Sequence, residues 1–289
     1  MGRSGRGRKA RIAVGLLIGV VLLCDVVALG LAGATSPLHP PVGAAGVGEG
    51  PLPVVLVAGV MSSGGGFADL TRALAGQGIP VLDFDAGRPG TQPFTFVPSA
   101  GDQHIDDVAA TMLQPAIGAA LGRAGYDPDR QHVDVVAHSV GGLLVRVLIE
   151  QPGGAVAADW GRRIDDLVMV ATPNHGSTFG AWLAGMEHSS EWDSVADDFR
   201  PGSDLLRRLG TAEPVGEVYT AIGGEAWPLN WLRSDEDTDG HSHGHDGVVP
   251  AESPFLTGAS LVVEPRSHGR LLSYARVTKR VVATLTAGG

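Results

Sequence analysis

Three residues of this chain have the types and the order needed for nucleophilic attack on a carbonyl carbon: Ser139, Asp246 and His268. A serine hydroxyl is a weak nucleophile at neutral pH and needs an adjacent base to take its proton. A histidine supplies that base, and a carboxylate behind it holds the productive tautomer and stabilises the imidazolium. Ser139 stands in Ala137-His138-Ser139-Val140-Gly141, between the apolar run Val133-Asp134-Val135-Val136 and the helical pattern Leu143-Leu144-Val145-Arg146-Val147-Leu148-Ile149. A strand, a tight turn and a helix in that order present a hydroxyl on a strained bend. His268 follows the apolar run Leu261-Val262-Val263-Glu264, and the gap back to Asp246 leaves room for one strand and two turns. Asp235, Glu236, Asp237 and Asp239 share the acid-bearing loop, and Gly247 gives the turn beside Asp246 its freedom, so Asp246 is the first choice and Asp239 the second.

These residues must be carried by elements that alternate. Apolar runs predict strands near 52–58, 79–84, 131–137, 165–171, 216–222 and 259–264, and helical patterns fall near 67–76, 102–122, 140–150 and 268–286. Alternation of this kind implies an α/β architecture, with a compact, mostly parallel six-stranded sheet and helices on both faces. The stretch from Ser177 to Gly210 is too long for a simple connection and predicts a small cap inserted at about 177–210.

The Ala-His-Ser-Val-Gly-Gly elbow, the segment Ala171-Thr172-Pro173-Asn174-His175-Gly176-Ser177, the stretch Pro201-Gly202-Ser203-Asp204-Leu205-Leu206, the turn Asp246-Gly247-Val248-Val249 and the finish His268-Gly269-Arg270-Leu271-Leu272 together carry a resemblance. The chain resembles the small secreted bacterial lipases and esterases (triacylglycerol lipase-like) of the α/β-hydrolase superfamily, over roughly residues 52–285. Ala137 takes the place of the usual first glycine of the elbow. The resemblance implies a carboxylic ester hydrolase working through a Ser139–His268–Asp246 triad and an acyl-enzyme, with no cofactor. It also implies an oxyanion hole made by the backbone amides of Val140 and Val60, with Ala58 where such lipases carry a histidine. Met61 is the second choice for the latter donor. Met61, Trp182 and Met186 are the expected substrate-binding side chains; Trp192, Phe199, Trp227 and Trp231 either join them or anchor the loops. Two alternatives stay open: an acyltransferase or thioesterase on the same triad, and a non-catalytic binding module with the same fold.

Other histidines and loops read more simply. His138 is expected to pack or hydrogen-bond rather than act as base, and His175 to be structural. Gly64-Gly65-Gly66 has no following Lys-Ser/Thr pair and so does not predict a phosphate loop. Asp235, Asp237, Asp239, His241, His243 and His245 could gather a surface metal, but a solvated polar loop is the reading preferred, and no metal is expected.

The chain has 289 residues, 44% hydrophobic and 18% charged, which suits one α/β domain from residue 52 to 289. Arg3, Arg6, Arg8, Lys9 and Arg11 precede the apolar run Ile12–Cys24 and the small residues Ala32-Gly33-Ala34, so residues 1–34 read as a secretory signal peptide, or as a membrane anchor if uncleaved. Asp25 argues against the anchor. Residues 35–51 form a Pro/Gly/Ala-rich linker. Removal of 1–34 takes five of the 21 basic and one of the 31 acidic groups, leaving a net charge of −14. That charge, with no basic cluster, disfavours nucleic acid and anionic membrane surfaces as partners and favours solubility outside the cell, where the leader would deliver the domain. The expected partner is a small-molecule or lipid ester, with transient contact at a lipid interface. The single cysteine, Cys24, lies in the leader, so the domain itself forms no disulfide.

Overall fold

The computed structural model describes residues 50–60, 62, 64–96, 103–150, 159–179, 193–211, 218–226 and 244–287. The leader, Met61, Trp182, Met186 and residues 227–243 lie outside them, and with them the expectations for an anchor and a metal loop. Among the described residues no helix is long and apolar enough to cross a membrane.

Among the described residues five strands form one parallel sheet in chain order: β1 (Val54–Val57), β2 (Val133–His138), β3 (Ile164–Val170), β4 (Val218–Gly224) and β5 (Ser260–Glu264). Every residue of β1 and β2 is buried, as continuous apolar runs in a doubly covered parallel sheet must be. Alternation within the strands divides the core in two. Val55, Val57, Val135, Ala137, Leu167 and Met169 face one layer, where α2 (Ile105–Val108), α3 (Gln114–Arg123) and α4 (Val140–Glu150) pack. Val54, Leu56, Val136, Val168 and Val170 face the other, against Leu70 and Leu74 of α1 (Ala68–Gly76) and Val277, Val281 and Leu285 of the C-terminal helix Ala275–Ala287.

The sixth expected strand, near 79–84, is instead a single parallel bridge between Val54 and Val81. Pro80 has no amide to offer and gives only its carbonyl, to the Val54 N–H (2.8 Å). Three residues later Asp83 turns the chain by accepting the amide of Asp85. The expected helix 102–122 is interrupted by a π-helical segment, Ala109–Leu113. Pro115, in the first turn of α3, cannot donate to the preceding turn and its ring displaces the carbonyl there, which widens the helix upstream. The helix expected over 268–286 begins as a 3-10 turn, His268–Arg270, and becomes α-helical only at Ala275. Trp160–Arg163 forms the short α5. In the stretch expected to form a cap, Asp193–Asp198 and Asp204–Leu209 form α6 and α7.

At the end of the sheet away from Ser139, the pairing of β2 with β3 slips by one residue, so that Asp165 and Asp166 oppose Asp134 alone. The carboxylate of Asp134 accepts the amide of Asp166 there (3.2 Å). Burial, followed by the nearby Asp166 charge, pushes the Asp134 carboxyl up to about 7. Its folded value is raised above the unfolded one, so stability falls as pH rises from about 4 to about 7, and the cost is fully present above that. Asp134→Asn keeps the acceptor and removes the charge. It is expected to raise the unfolding free energy by roughly 2 kcal/mol at pH 8, with the gain shrinking toward pH 5, as read by denaturant unfolding at the two pH values.

Candidate active site

β2 delivers Ser139 to the carboxyl end of the sheet, and the chain turns directly into α4. Ser139 has a φ of 56°, one of two non-glycine residues in the left-handed region among those described. Such a backbone costs a serine on the order of 1–2 kcal/mol, and a surrounding that over-determines it must hold it there. The Ser139 N–H donates to the Val170 carbonyl (2.8 Å), and its own carbonyl accepts the amide of Gly142 (3.0 Å). Glycines make room for the bend. A Cβ on Gly141 would lie 2.8 Å from the carbonyl oxygens of Val57 and Ala58, and one on Gly142 would lie 2.1 Å from Oγ1 of Thr172. The first turn of α4 therefore passes against the end of β1 and against Thr172, two residues past β3, with nothing to spare.

The loop after β1 closes over the serine. A Cβ on Gly59 would stand 2.6 Å from Cβ and 3.1 Å from Oγ of Ser139, so the backbone of this loop rests on the side chain itself. Val60 follows, half-buried against the core, and Val140 begins α4 with its side chain buried. Both amides thus belong to backbone immediately flanking Ser139.

Asp246 and His268 are brought into direct contact. The loop after β4 carries Asp246, which is 1% exposed, and the turn after β5 carries His268. Nδ1 of His268 lies 2.8 Å from Oδ2 of Asp246, while Oδ1 accepts the amides of Val248 (2.8 Å) and Val249 (2.7 Å). The His268 amide also donates to the Asp246 carbonyl (2.9 Å). Burial acts to raise the Asp246 carboxyl, but the His268 imidazole and the two amides outweigh it and hold it below its ordinary value. An ionised carboxylate on Nδ1–H leaves Nε2 as the free acceptor of the ring. A Cβ on Gly224, at the end of β4, would come 2.8 Å from Cβ of Asp246 and 2.7 Å from the Arg266 carbonyl, so this glycine lets the acid loop and the base loop converge. His138 bridges them to the elbow: its ring centroid is 4.6 Å from that of His268.

The segment after β3 holds the acid loop in place. Ser177 Oγ donates to the Val248 carbonyl (2.5 Å), Ser253 Oγ to the Gly176 carbonyl (2.7 Å) and Asn174 Nδ2 to the Pro254 carbonyl (2.8 Å). His175 is exposed, with Nε2 donating to the Phe255 carbonyl (2.8 Å), and so serves the same tether. Asn174 also accepts Nη1 of Arg146 (3.1 Å). Arg146, fully buried within α4, forks onto Glu150 (2.6 and 2.9 Å) and donates to the Leu209 and Gly210 carbonyls. This network ties the elbow helix to the acid loop and to α7. Sequence reading missed it, since a lone arginine in an apolar helix names no partner. Among the described residues no three metal-ligating side chains gather.

A family model described as a domain of unknown function (DUF7379) matches residues 117–222, from α3 to β4. No curated protein matches the chain. Solved structures do. Phospholipase PlaB from Legionella pneumophila is similar over 82% of this chain at 18% identity with a TM-score of 0.59, and this chain spans 60% of its length. Lipase BlEst2 from Bacillus licheniformis, in its mature form, is similar over 86% of this chain and 95% of its own, at 17% identity and a TM-score of 0.58. The metagenomic carboxyl esterase MGS0156 is similar over 89% of this chain and 80% of its own, at 19% identity and a TM-score of 0.55. The chain therefore has the α/β-hydrolase fold shared by lipases and esterases.

Proposed function

We propose that this protein is an exported serine hydrolase that cleaves carboxylic esters, with lipid acyl esters as the substrate class. The observation that carries the reading is the buried Asp246 carboxylate, bound to two amides on one oxygen and to Nδ1 of His268 on the other, beside a left-handed serine elbow. A fold common to a phospholipase, a lipase and a carboxyl esterase supports it.

Nε2 of His268 takes the proton of Ser139 as Oγ attacks the ester carbonyl carbon. The amides of Val140 and Val60 stabilise the oxygen as it becomes negative, a contribution of about 10²–10³ in rate per donor in such sites. His268, now an imidazolium held by Asp246, gives its proton to the departing alcohol, and the acyl group stays on Ser139. Water, deprotonated by His268, then attacks the acyl-enzyme; the acid leaves and the serine is restored. Met61, from the loop after β1, and Trp182 and Met186, from the stretch at about 177–210, are the acyl-contacting side chains of this reading. Residues 1–34 direct export and are removed, and the acidic domain that remains is soluble outside the cell.

The purified domain is expected to hydrolyse p-nitrophenyl esters somewhere between acetyl and palmitoyl, with Ser139→Ala lowering kcat by at least about 10³-fold. An optimum at long chains marks a lipase and one at short chains an esterase. No turnover by folded protein, or equal turnover by Ser139→Ala, would overturn the reading.

A further inference from the structure

We infer that His138 is a positioning residue for the base: its Nε2–H and its ring fix the main chain and the ring plane of His268 before any substrate arrives. This rests on the Ser139–His268–Asp246 reading above.

Position follows from the strand. His138 is the last residue of β2, and alternation puts it on the same face as Val136, where Leu271 and Leu272 of the segment after His268 also pack. It is 7% exposed. Its Nε2–H donates to the His268 carbonyl (3.2 Å), and the two rings meet at 4.6 Å with a 43° tilt. The main chain of His268 is thereby gripped at both ends, because its N–H already donates to the Asp246 carbonyl (2.9 Å). Its side chain is gripped at Nδ1 by the Asp246 carboxylate. The remaining freedom of the imidazole is to tilt about its own axis, and the His138 ring blocks one side of that motion.

The chemistry of His138 suits this role and little else. With Nε2 donating, Nδ1 is a bare acceptor, and it is buried with no partner. An orphaned buried acceptor is a stability cost that an apolar side chain of similar shape would avoid. A residue that breaks a packing rule where it touches a functional group points to a constraint from function. Neutrality matters too. Burial, and then the nearby His268, push His138 down to about 3, so the ring is uncharged across the working range. When His268 takes the serine proton, a second imidazolium at ring-contact distance would oppose it; a neutral ring does not.

The test measures kcat and KM with p-nitrophenyl butyrate for wild type, His138→Phe and His138→Gln, alongside thermal unfolding. His138→Phe keeps a ring against the base and loses the donor; His138→Gln keeps a donor and loses the ring. His138→Phe is expected to lower kcat by about tenfold or more, with KM within about twofold, as a small displacement of a base does. His138→Gln is expected to recover part of that loss. A kcat within twofold of wild type in His138→Phe, or a change confined to melting temperature, overturns the proposal. If His138→Phe does not fold, His138→Gln and His138→Met decide: equal kcat in the two overturns it, and an advantage of about threefold or more for His138→Gln supports it. Ser139→Ala, run in parallel, separates the two claims. If it is as active as wild type, the triad reading fails and this inference falls with it.

Discussion

Asp246→Asn is expected to lower kcat toward esters by about 10⁴-fold while leaving the fold intact. The reason lies in how the carboxylate is divided. Oδ1 accepts the amides of Val248 and Val249, and only an oxygen can accept them. An asparagine must therefore keep its oxygen on that side and turn its NH2 toward Nδ1 of His268, where Oδ2 now stands at 2.8 Å. That NH2 donates to Nδ1, which moves the ring proton to Nε2. The ring then has no lone pair to take the proton of Ser139. Steady-state kinetics of the variant, with thermal unfolding as the control, measure this directly. A loss smaller than about tenfold would mean that Asp246 does not set the tautomer, and would bring Asp239 forward.

Gly59→Ala is the second large effect, with an expected loss of at least about 100-fold in kcat. The added methyl would meet Cβ of Ser139 at 2.6 Å and the His138 carbonyl at 3.1 Å. Neither is the loose end of a flexible side chain: the elbow is locked in its left-handed turn, and Ala58 behind the loop is fully buried. Either the loop that carries the Val60 amide or the serine must shift by several tenths of an ångström, and both shifts spoil the site. Gly76→Ala is the matched control. It sits at the end of α1 with nothing within 4 Å of the new methyl, so activity should be unchanged. If Gly59→Ala keeps wild-type kcat, the loop after β1 is not part of the site.

What the sequence revealed was local or ordered along the chain. The Ser139 elbow was legible because strand, bend and helix are contiguous, and the elbow glycines mark a close approach. The acid loop and the His268 turn were legible because the parallel sheet delivers successive loops to one edge, in chain order. One helix and one strand depart from the sequence pattern where one residue's backbone chemistry rules: Pro80 limits the expected sixth strand to a bridge, and Pro115 widens a helix into a π-turn. The supporting network stayed hidden for a different reason. Arg146 meets Asn174 and the Leu209 carbonyl across 28 and 63 residues, and no spacing rule connects them. The sequence predicts a packing or hydrogen-bonding role for His138, and its contact with His268, 130 residues away, emerges only from the fold. Asp134 drew no separate expectation inside its apolar run, yet it covers an amide that a slipped register leaves free.

If Ser139 is a nucleophile activated by His268 and Asp246, a reagent that needs only an activated serine must find it. Peptide mapping of the folded protein after reaction with a fluorophosphonate tests it without any assumption about the natural ester. One stoichiometric adduct is expected, on the peptide that contains Ser139, absent in Ser139→Ala and formed far more slowly in Asp246→Asn. Folded wild-type protein that takes up no label, or takes it up on a different serine, would contradict it.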